Sequence, residues 1–295
     1  MKVSEYDAFG PWIYEVSDEH PLPPLFVPFY KEDGNCLMRI KIPRNIERRN
    51  ARPGMDLYDY VVGVYQDHIY ILKRKDKQVE QSSAYFSEIN GIEVLYQLLE
   101  GTLTIYLTDN KITIPFNVVS NKVIMRVVGI IRSRYSNKIY EDNDHYCFDN
   151  EPAVETLFRN LLSGMKSEED IRICAVQRSI SLELNKGSFI DRLIHFFKGR
   201  MLLNTLHLSN SRELIIITRG RAFMEGRISN YDYAITYLPF ERLRGILIEN
   251  DERYSGLVAL DIKLSGQDLK FYFEQMNKES IDFYNNLGCC HSLAH

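Results

Sequence analysis

The sequence has few of the features that would identify a chemistry. Its five cysteines are odd in number and scattered, so we expect a reducing compartment and no disulfide framework. No apolar run approaches the roughly 18–20 residues that cross a bilayer. The opening MKVSEYDAFGPW has no apolar core of a signal peptide. These absences predict a protein of the cytoplasm.

Catalytic and nucleotide-binding motifs are also missing. The chain contains no G-x-S-x-G, P-loop, G-x-G-x-x-G or H-E-x-x-H, so hydrolase, NTPase, Rossmann and zincin interpretations lose their usual support. A net charge of −4 argues against a dedicated nucleic-acid binder. The segment CCHSLAH offers thiols and imidazoles, but adjacent cysteines suit a tetrahedral ion poorly. We therefore expect no catalytic residue, metal or cofactor.

The composition is that of a folded protein with many strands. A length of 295 residues exceeds the usual ~100–200 residues per domain, which predicts two domains. Hydrophobic residues at 45% and charged residues at 26% argue against disorder. The chain has 19 Tyr and 15 Phe against one Trp, and this enrichment favours strands.

The first 35 residues combine five prolines with large apolar side chains, a mixture that suits neither a helix nor a central strand. We expect an extended arm that packs Trp12, Phe26 and Phe29 onto the following domain, because aromatic side chains of this size seek burial.

Period-two alternation then predicts successive half-buried strands. Seven candidates lie at about 36–42, 60–66, 69–74, 83–87, 91–97, 102–107 and 112–116. In TLTIYLTDNKITIPF, Asp109 and Asn110 suit the positive φ of a tight hairpin turn, and Pro115 predicts an edge strand. The period then changes to that of an amphipathic helix carrying Val119, Val123 and Val127 on one face.

Residues 141–199 have a different character. EDNDHYCFDNE holds five acids and no base, which is typical of a solvated linker. EPAVETLFRNLLSG and SFIDRLIHFFKG predict helices that end at Gly164 and Gly199. The residue pattern of EEDIRICAVQRSISLEL predicts neither a helix nor a strand.

From Met201 the chain repeats its earlier pattern. Seven strand candidates lie at about 201–208, 213–219, 221–228, 233–238, 244–249, 257–264 and 268–273, and EQMNKESIDFYNNLG predicts a closing helix ending at Gly288. YFSEINGI matches YLPFERLRGI at an offset of 152 to 154, and LTDNKITIPF matches LSGQDLKFYF at an offset of 157. Repeats at a fixed offset predict a tandem duplication.

Seven short antiparallel strands closed by one helix, occurring twice, resemble the pleckstrin-homology-like (PH-like) superfold, particularly its bacterial members. The resemblance rests on residues 91–135 and 245–287. It implies an α+β protein with two small antiparallel β-sandwich or barrel domains, each closed by a C-terminal amphipathic helix. In the first copy, the buried helix face would carry Val119, Val123 and Val127. The expected boundaries are an N-terminal arm at 1–35, domain one at 36–140, an acidic and helical linker at 141–199 and domain two at 200–295.

In lipid-binding members of that family, basic residues around the loop after the first strand hold headgroup phosphates. The matching positions here lie in KIPRNIERRNARPGMD, and they are Lys41, Arg44, Arg48, Arg49 and Arg52. The match is incomplete, because Asp56 and Asp59 stand where basic residues are wanted and the second copy offers only Arg212. Three interpretations stay open: ion pairs within the fold, a protein partner and an anionic ligand.

The resemblance implies a binding module. We expect a non-catalytic binding or scaffolding protein of a prokaryotic cytoplasm, which recognises a protein partner and whose sheet edges pair chains into homo-oligomers. One alternative is a peripheral binder of anionic phospholipid that uses the loop from Arg44 to Arg52. The other is an enzyme with its site at an interdomain cleft.

Overall fold

The computed structural model describes residues 5–30, 35–136, 138–140, 147–148, 151–185, 200–225 and 231–292. It is a mixed α+β structure with mostly antiparallel sheets and no closed barrel in the described part, which confirms the predicted class. Two compact units can be distinguished. Unit 1 comprises Met1–Ile89, Leu98–Leu107 and Lys111–Ser136, and unit 2 comprises Asn90–Gln97, Thr108–Asn110 and Asn137–His295.

Unit 1 contains a five-stranded antiparallel sheet with its strands in chain order. The strands are β1 (Tyr14–Glu15), β2 (Met38–Pro43), β3 (Tyr58–Val64), β4 (His68–Lys75) and β5 (Gln78–Tyr85). Alternation puts one face of β4 in the core, where Ile69 and Ile71 are 0% and 2% exposed. The predicted strands of this region are confirmed within a few residues at each end, the least accurate being β5.

The N-terminal arm is only partly buried. It contains a short helix, α1 (Glu5–Ala8), and a 3₁₀ helix, Pro24–Phe29. Phe26 is fully buried and Phe29 packs against the same core cluster, as expected. The prediction for Trp12 is wrong, because its side chain is 54% exposed.

The hairpin of unit 1 joins β7 (Glu100–Leu107) to β8 (Lys111–Asn117), and β8 is the predicted edge strand. Leu103 faces Ile114 and Thr104 faces Thr113. The turn differs from the prediction, since neither Asp109 nor Asn110 has a positive φ. Residues 108–110 lie between the two strands, so the loop is longer than two residues, and longer loops use turns with negative φ.

Helix α2 (Asn121–Tyr135) follows this hairpin. The helical prediction is confirmed, but of the expected face only Val127 is buried, while Val123 is partly buried. Val119 lies in the preceding 3₁₀ turn and is 58% exposed, so it is not part of the helix. The buried face instead repeats at intervals of three and four residues, as a packed helix requires. It consists of Ile124, Val127, Val128, Ile131 and Tyr135.

Unit 2 contains a run of five antiparallel strands in the order β6, β15, β13, β12, β9. Their bounds are β6 (Ile89–Gln97), β9 (Arg172–Gln177), β12 (Thr205–Ser209), β13 (Glu213–Thr218) and β15 (Tyr233–Pro239). Strands buried on both faces carry uninterrupted apolar runs, and Leu214 to Ile217 are all 0% exposed. The segment that the sequence pattern left unassigned supplies β9.

The remaining strands of unit 2 form two three-stranded sheets. One contains β10 (Ile180–Ser181), β11 (Arg200–Leu202) and β14 (Phe223–Glu225), and the other contains β16 (Gly245–Asn250), β17 (Leu257–Leu264) and β18 (Gln267–Glu274). Residues 201–208, expected as one strand, are divided between β11 and β12.

Unit 2 also contains two described helices, α3 (Thr156–Lys166) and α4 (Lys278–Ser292). Both run past the glycines that were expected to end them, Gly164 and Gly288. The buried residues Phe283, Tyr284 and Leu287 of α4 join a core cluster with Leu214, Ile262 and other strand residues. The helix predicted at 188–199 lies outside the described residues. Across the helices that the structure describes, none is long and apolar enough to cross a membrane.

Candidate functional site

The arginine loop, residues 44–52, connects the neighbouring strands β2 and β3 of unit 1. A 3₁₀ turn, Arg48–Asn50, occupies its middle. Ala51 and Leu57 are buried in the core cluster of the arm and the sheet, and the Arg44 amide donates to the Leu57 carbonyl at 2.9 Å. The backbone of the loop is thus anchored by apolar burial, while its basic side chains differ in their surroundings.

Lys41 does not belong to the surface of this loop. It is 1% exposed, its Nζ donates to the Pro21 carbonyl at 2.8 Å, and Nζ lies 4.5 Å from the centroid of the Tyr58 ring. A buried ammonium needs such contacts, because desolvation disfavours its charge. Lys41 therefore joins the arm to the sheet, and an external ligand does not reach it.

Arg44 contacts the two acids that had counted against a phosphate site. Its Nη1 donates to the Asp56 carbonyl at 3.1 Å, and its Nε lies 3.8 Å from Oδ1 of Asp59. The same carboxylate oxygen accepts hydrogen bonds from Nε and Nη2 of Arg74 at 2.8 and 2.7 Å. Asp59 thus lies between two guanidinium groups, which favours the ion-pair interpretation for Arg44.

The other three arginines lie further out. Arg48 packs its guanidinium 4.3 Å from the centroid of the Tyr6 ring and donates to the Tyr6 carbonyl. Arg49 pairs with Glu47, and its side chain remains 80% exposed. Arg52 is also exposed. Of the five predicted positions, Arg49 and Arg52 are therefore the ones most accessible to a partner.

The structure places an exposed apolar patch in the same unit. It consists of Trp12, Leu98, Leu99 and Val119, which are 54%, 76%, 66% and 58% exposed. Hydrogen bonds between neighbouring residues bring the three segments together: the Val118 amide donates to the Leu99 carbonyl at 2.9 Å, and the Ile13 amide donates to Oγ of Ser120 at 2.8 Å. Exposed apolar residues on segments joined in this way are typical of interaction surfaces.

Leu98 has an unusual backbone conformation. Leu98 and Leu99 are the two residues that join β6 to β7, and φ of Leu98 is +52°. A turn with positive φ at this position normally contains glycine, because an L side chain there costs about 1–2 kcal/mol. A large apolar side chain is therefore held in a strained turn and exposed to solvent.

The apolar patch and the arginine loop belong to one surface of unit 1. Nδ2 of Asn45 in the loop donates to Oε1 of Glu100 at 3.3 Å, and Glu100 directly follows Leu99. Beyond Val119, the first turns of α2 add the exposed Lys122 and Arg126. Arg126 pairs with Glu15 at 3.1 Å. Basic residues thus lie on two segments that are linked in the chain or by a hydrogen bond to those of the apolar patch.

Sequence reasoning identified the loop and missed the apolar patch. Trp12 and Val119 were assigned to the core because of their size and spacing. The sequence feature that could have revealed the patch is the pair Leu98 and Leu99, which lies between two predicted strands where glycine or asparagine is usual.

Other basic residues of the chain show simpler roles. Lys73, Lys75 and Lys77 are exposed around the turn between β4 and β5. The backbone amide of Arg212, the basic residue expected in the second copy, donates to Oδ1 of Asn210 at 2.8 Å within a turn. Among the described residues, no group of three or more His, Cys, Asp or Glu side chains is arranged to hold a metal ion.

The sequence matches no protein-family model, and no curated protein is significantly similar to it.

Proposed function

We propose that this chain is a non-catalytic binding protein built from two PH-like copies, and that its first copy recognises a protein partner through the apolar patch and the exposed arginines. The order of elements supports the duplication. The strands β6, β7 and β8 precede α2, and β16, β17 and β18 precede α4. A 3₁₀ turn with a buried phenylalanine precedes each series, and Phe86 and Phe240 are 154 positions apart.

The register of the hairpins supports the same relationship. Thr104 faces Thr113 in the first hairpin, and the residues 157 positions later, Asp261 and Lys270, face each other in the second. Equal register at a constant offset is expected for two copies of one hairpin, because a shift of one residue would exchange the two faces.

The closing helices bury equivalent positions. Four buried residues of α2, Ile124, Val127, Val128 and Ile131, have counterparts 156 positions later in α4, and these four counterparts are buried as well. They are Ser280, Phe283, Tyr284 and Leu287. A helix needs the same apolar face in both copies to pack on its sheet, so this agreement supports a shared architecture.

One observation carries the functional proposal: the exposed pair Leu98 and Leu99 in a turn with positive φ. Folding alone favours glycine at position 98 and a polar side chain at position 99, since neither leucine is buried. Backbone strain combined with exposed apolar area points to a site that is completed by another molecule.

The chemistry of the surface indicates what kind of partner fits. Apolar side chains of a partner would be desolvated by Trp12, Leu98, Leu99 and Val119, and acidic side chains would meet Arg49, Arg52 and Lys122 at the rim. We therefore assign the surface to a protein segment that carries apolar residues flanked by acids. Glu100 beside the leucines disfavours a densely anionic membrane.

Affinity purification from the native host tests the proposal when wild type is compared with two variants. The double variant Leu98→Asn, Leu99→Ser replaces the apolar pair with residue types that suit a turn. The double variant Arg49→Glu, Arg52→Glu reverses the charge at the rim. Matched controls are Met276→Ser, an apolar residue 80% exposed in unit 2, and Lys75→Glu combined with Lys77→Glu.

We expect one partner to be lost with both patch variants and kept with both controls, and to bind the purified wild type directly. An unchanged set of partners contradicts the proposal. Flotation of the wild type with anionic liposomes that is abolished by the Arg49 and Arg52 variant would replace the protein partner with a lipid. Self-association in sedimentation velocity that only the leucine variant abolishes would replace it with a second copy.

A further inference from the structure

Two cysteines that are far apart in sequence meet in unit 2. Sγ of Cys147 lies 2.9 Å from Sγ of Cys174, and 27 positions separate the residues. Both are present as thiols. The backbone next to Cys147 is held at this place, because the Phe148 amide donates to the Ile173 carbonyl at 2.9 Å. A disulfide requires a sulfur separation of about 2.05 Å, so a small movement would bring these atoms to bonding distance.

The two thiols have different environments. Cys174 lies on β9 and is 1% exposed, whereas Cys147 is partly exposed. Cys147 lines a cavity of about 370 Å³ together with Lys166, Arg172 and Glu151. A molecule the size of a peroxide can therefore enter beside Cys147 while the core covers Cys174.

A hydroxyl group completes the cluster. Oγ of Ser209 on β12 lies 2.9 Å from Sγ of Cys174 and 3.6 Å from Sγ of Cys147. Burial raises the pKa of the Cys174 thiol well above its ordinary value. Cys174 is thus the poorer nucleophile before oxidation, which gives the partly exposed Cys147 the first step.

We propose that Cys147 and Cys174 form a reversible disulfide when the protein meets a peroxide. In the first step, the Cys147 thiolate attacks one peroxide oxygen, an S–O bond forms, the O–O bond breaks and hydroxide leaves. In the second, the Cys174 sulfur attacks the sulfenic acid, an S–S bond forms, the S–O bond breaks, and the Cys174 proton leaves with the oxygen as water. Two thiols lose two electrons to one peroxide. A thiol reductant then reduces the disulfide and restores the two thiols.

The disulfide would connect the segment at residues 147–148 covalently to β9, the outermost strand in the β6 to β9 run of unit 2. At present the Phe148 amide is bonded to the Ile173 carbonyl, and the two sulfurs are in contact. This inference rests on unit 2 alone, so it does not depend on the proposed partner surface of unit 1.

Peptide mapping tests the inference in a full-length variant that retains only these two cysteines, with Cys36, Cys289 and Cys290 changed to serine. After treatment with hydrogen peroxide and blocking of remaining thiols, trypsin cleaves after Lys138, Arg159, Arg172 and Arg178. We expect one linked species of peptides 139–159 and 173–178 that dithiothreitol separates. Peroxide-treated protein in which both peptides carry the blocking group contradicts the inference, as does a Cys147 oxidised to sulfinic acid without linkage.

Single variants of the same background test the order of the two steps. Cys174→Ser should accumulate a sulfenic acid at Cys147, which dimedone traps, because the second thiol is absent. Cys147→Ser should leave Cys174 unmodified under the same conditions, because the core covers it. Dimedone on Cys174 in the second variant would overturn the assignment of Cys147 as the peroxide-reactive residue. Circular dichroism of both variants excludes unfolding as the source of new reactivity.

Discussion

Nδ1 of His207 lies 2.5 Å from the hydroxyl of Tyr284, and both side chains are fully buried. Nε2 of the same imidazole lies 3.1 Å from Oγ1 of Thr205, so both ring nitrogens have a hydroxyl partner. The rings of Phe271 and Phe273 complete the surroundings with centroids at 5.4 and 5.1 Å. This arrangement suits a neutral imidazole, and burial lowers the pKa of His207 to about 3.

Acid should therefore destabilise unit 2 through His207. In the unfolded chain this histidine has a pKa of about 6.5 and binds a proton below that pH. In the folded protein it stays neutral until the pH falls to about 3. The contribution of His207 is complete above about pH 6.5 and is lost as the pH falls towards 3. At pH 5 the loss should be about 2 kcal/mol. Urea unfolding at pH 7.5 and pH 5 measures it.

The control for this pH effect is the variant His207→Gln. It should be less stable than wild type at pH 7.5, but its further loss at pH 5 should be smaller by about the amount that the histidine contributes. Equal losses in the two proteins would show that other groups cause the acid sensitivity.

Gly266 should not tolerate a side chain. Its φ is +81°, and a Cβ atom there would lie 1.5 Å from the Thr108 carbonyl oxygen. Gly266→Ala should cost more than the roughly 1–2 kcal/mol of a left-handed conformation, because backbone must also move. Gly256→Ala is the matched control, since φ is +67° and the added atom meets open space. In thermal unfolding, Gly256→Ala should have a higher midpoint temperature than Gly266→Ala. The reverse order would contradict the steric argument.

Asp59 should stabilise unit 1 through Arg74. Asp59→Ala removes the acceptor of two hydrogen bonds and leaves the Arg44 and Arg74 guanidinium groups close together, so we expect a loss of about 1 kcal/mol after allowance for partial exposure. Glu47→Ala, which removes an exposed pair with Arg49, should leave the unfolding midpoint unchanged. Equal effects of the two substitutions in denaturant titrations would mean that Asp59 makes no special contribution.

Leu98→Gly should increase stability while weakening recognition of the partner. Glycine adopts the positive φ of this turn without strain, so the gain should be about 1 kcal/mol in chemical unfolding. Asp76→Gly, at the other described non-glycine residue with positive φ, should gain less because aspartate tolerates this conformation better. A Leu98→Gly protein that is less stable than wild type would show that the leucine serves folding.

Local sequence pattern predicted most individual strands and the two closing helices. β17 was expected at 257–264 and lies at Leu257–Leu264, since alternation of apolar residues reports directly on a half-buried strand. Helix ends were less accurate at Gly164 and Gly288, because packing can carry a helix through a glycine at a cost of about 1 kcal/mol. The position of the arginine loop also followed from the strands on either side of it.

The candidate site was predicted only in part for a similar reason. A count of arginines does not reveal which of them face acids, and Arg44 and Lys41 proved to be held by Asp59 and the Pro21 carbonyl. Trp12, Leu98 and Val119 come from three segments, so their common exposure depends on contacts between residues distant in sequence.

The sequence by itself determined where most strands and helices form and the position of the basic loop, because these depend on neighbours within a few residues. Only the tertiary structure decided the rest. It paired β6 with β15, it brought Sγ of Cys147 to Sγ of Cys174, and it exposed the leucines of the β6–β7 turn. These outcomes depend on long-range pairing and on the competition among apolar groups for a limited core, which no local pattern records.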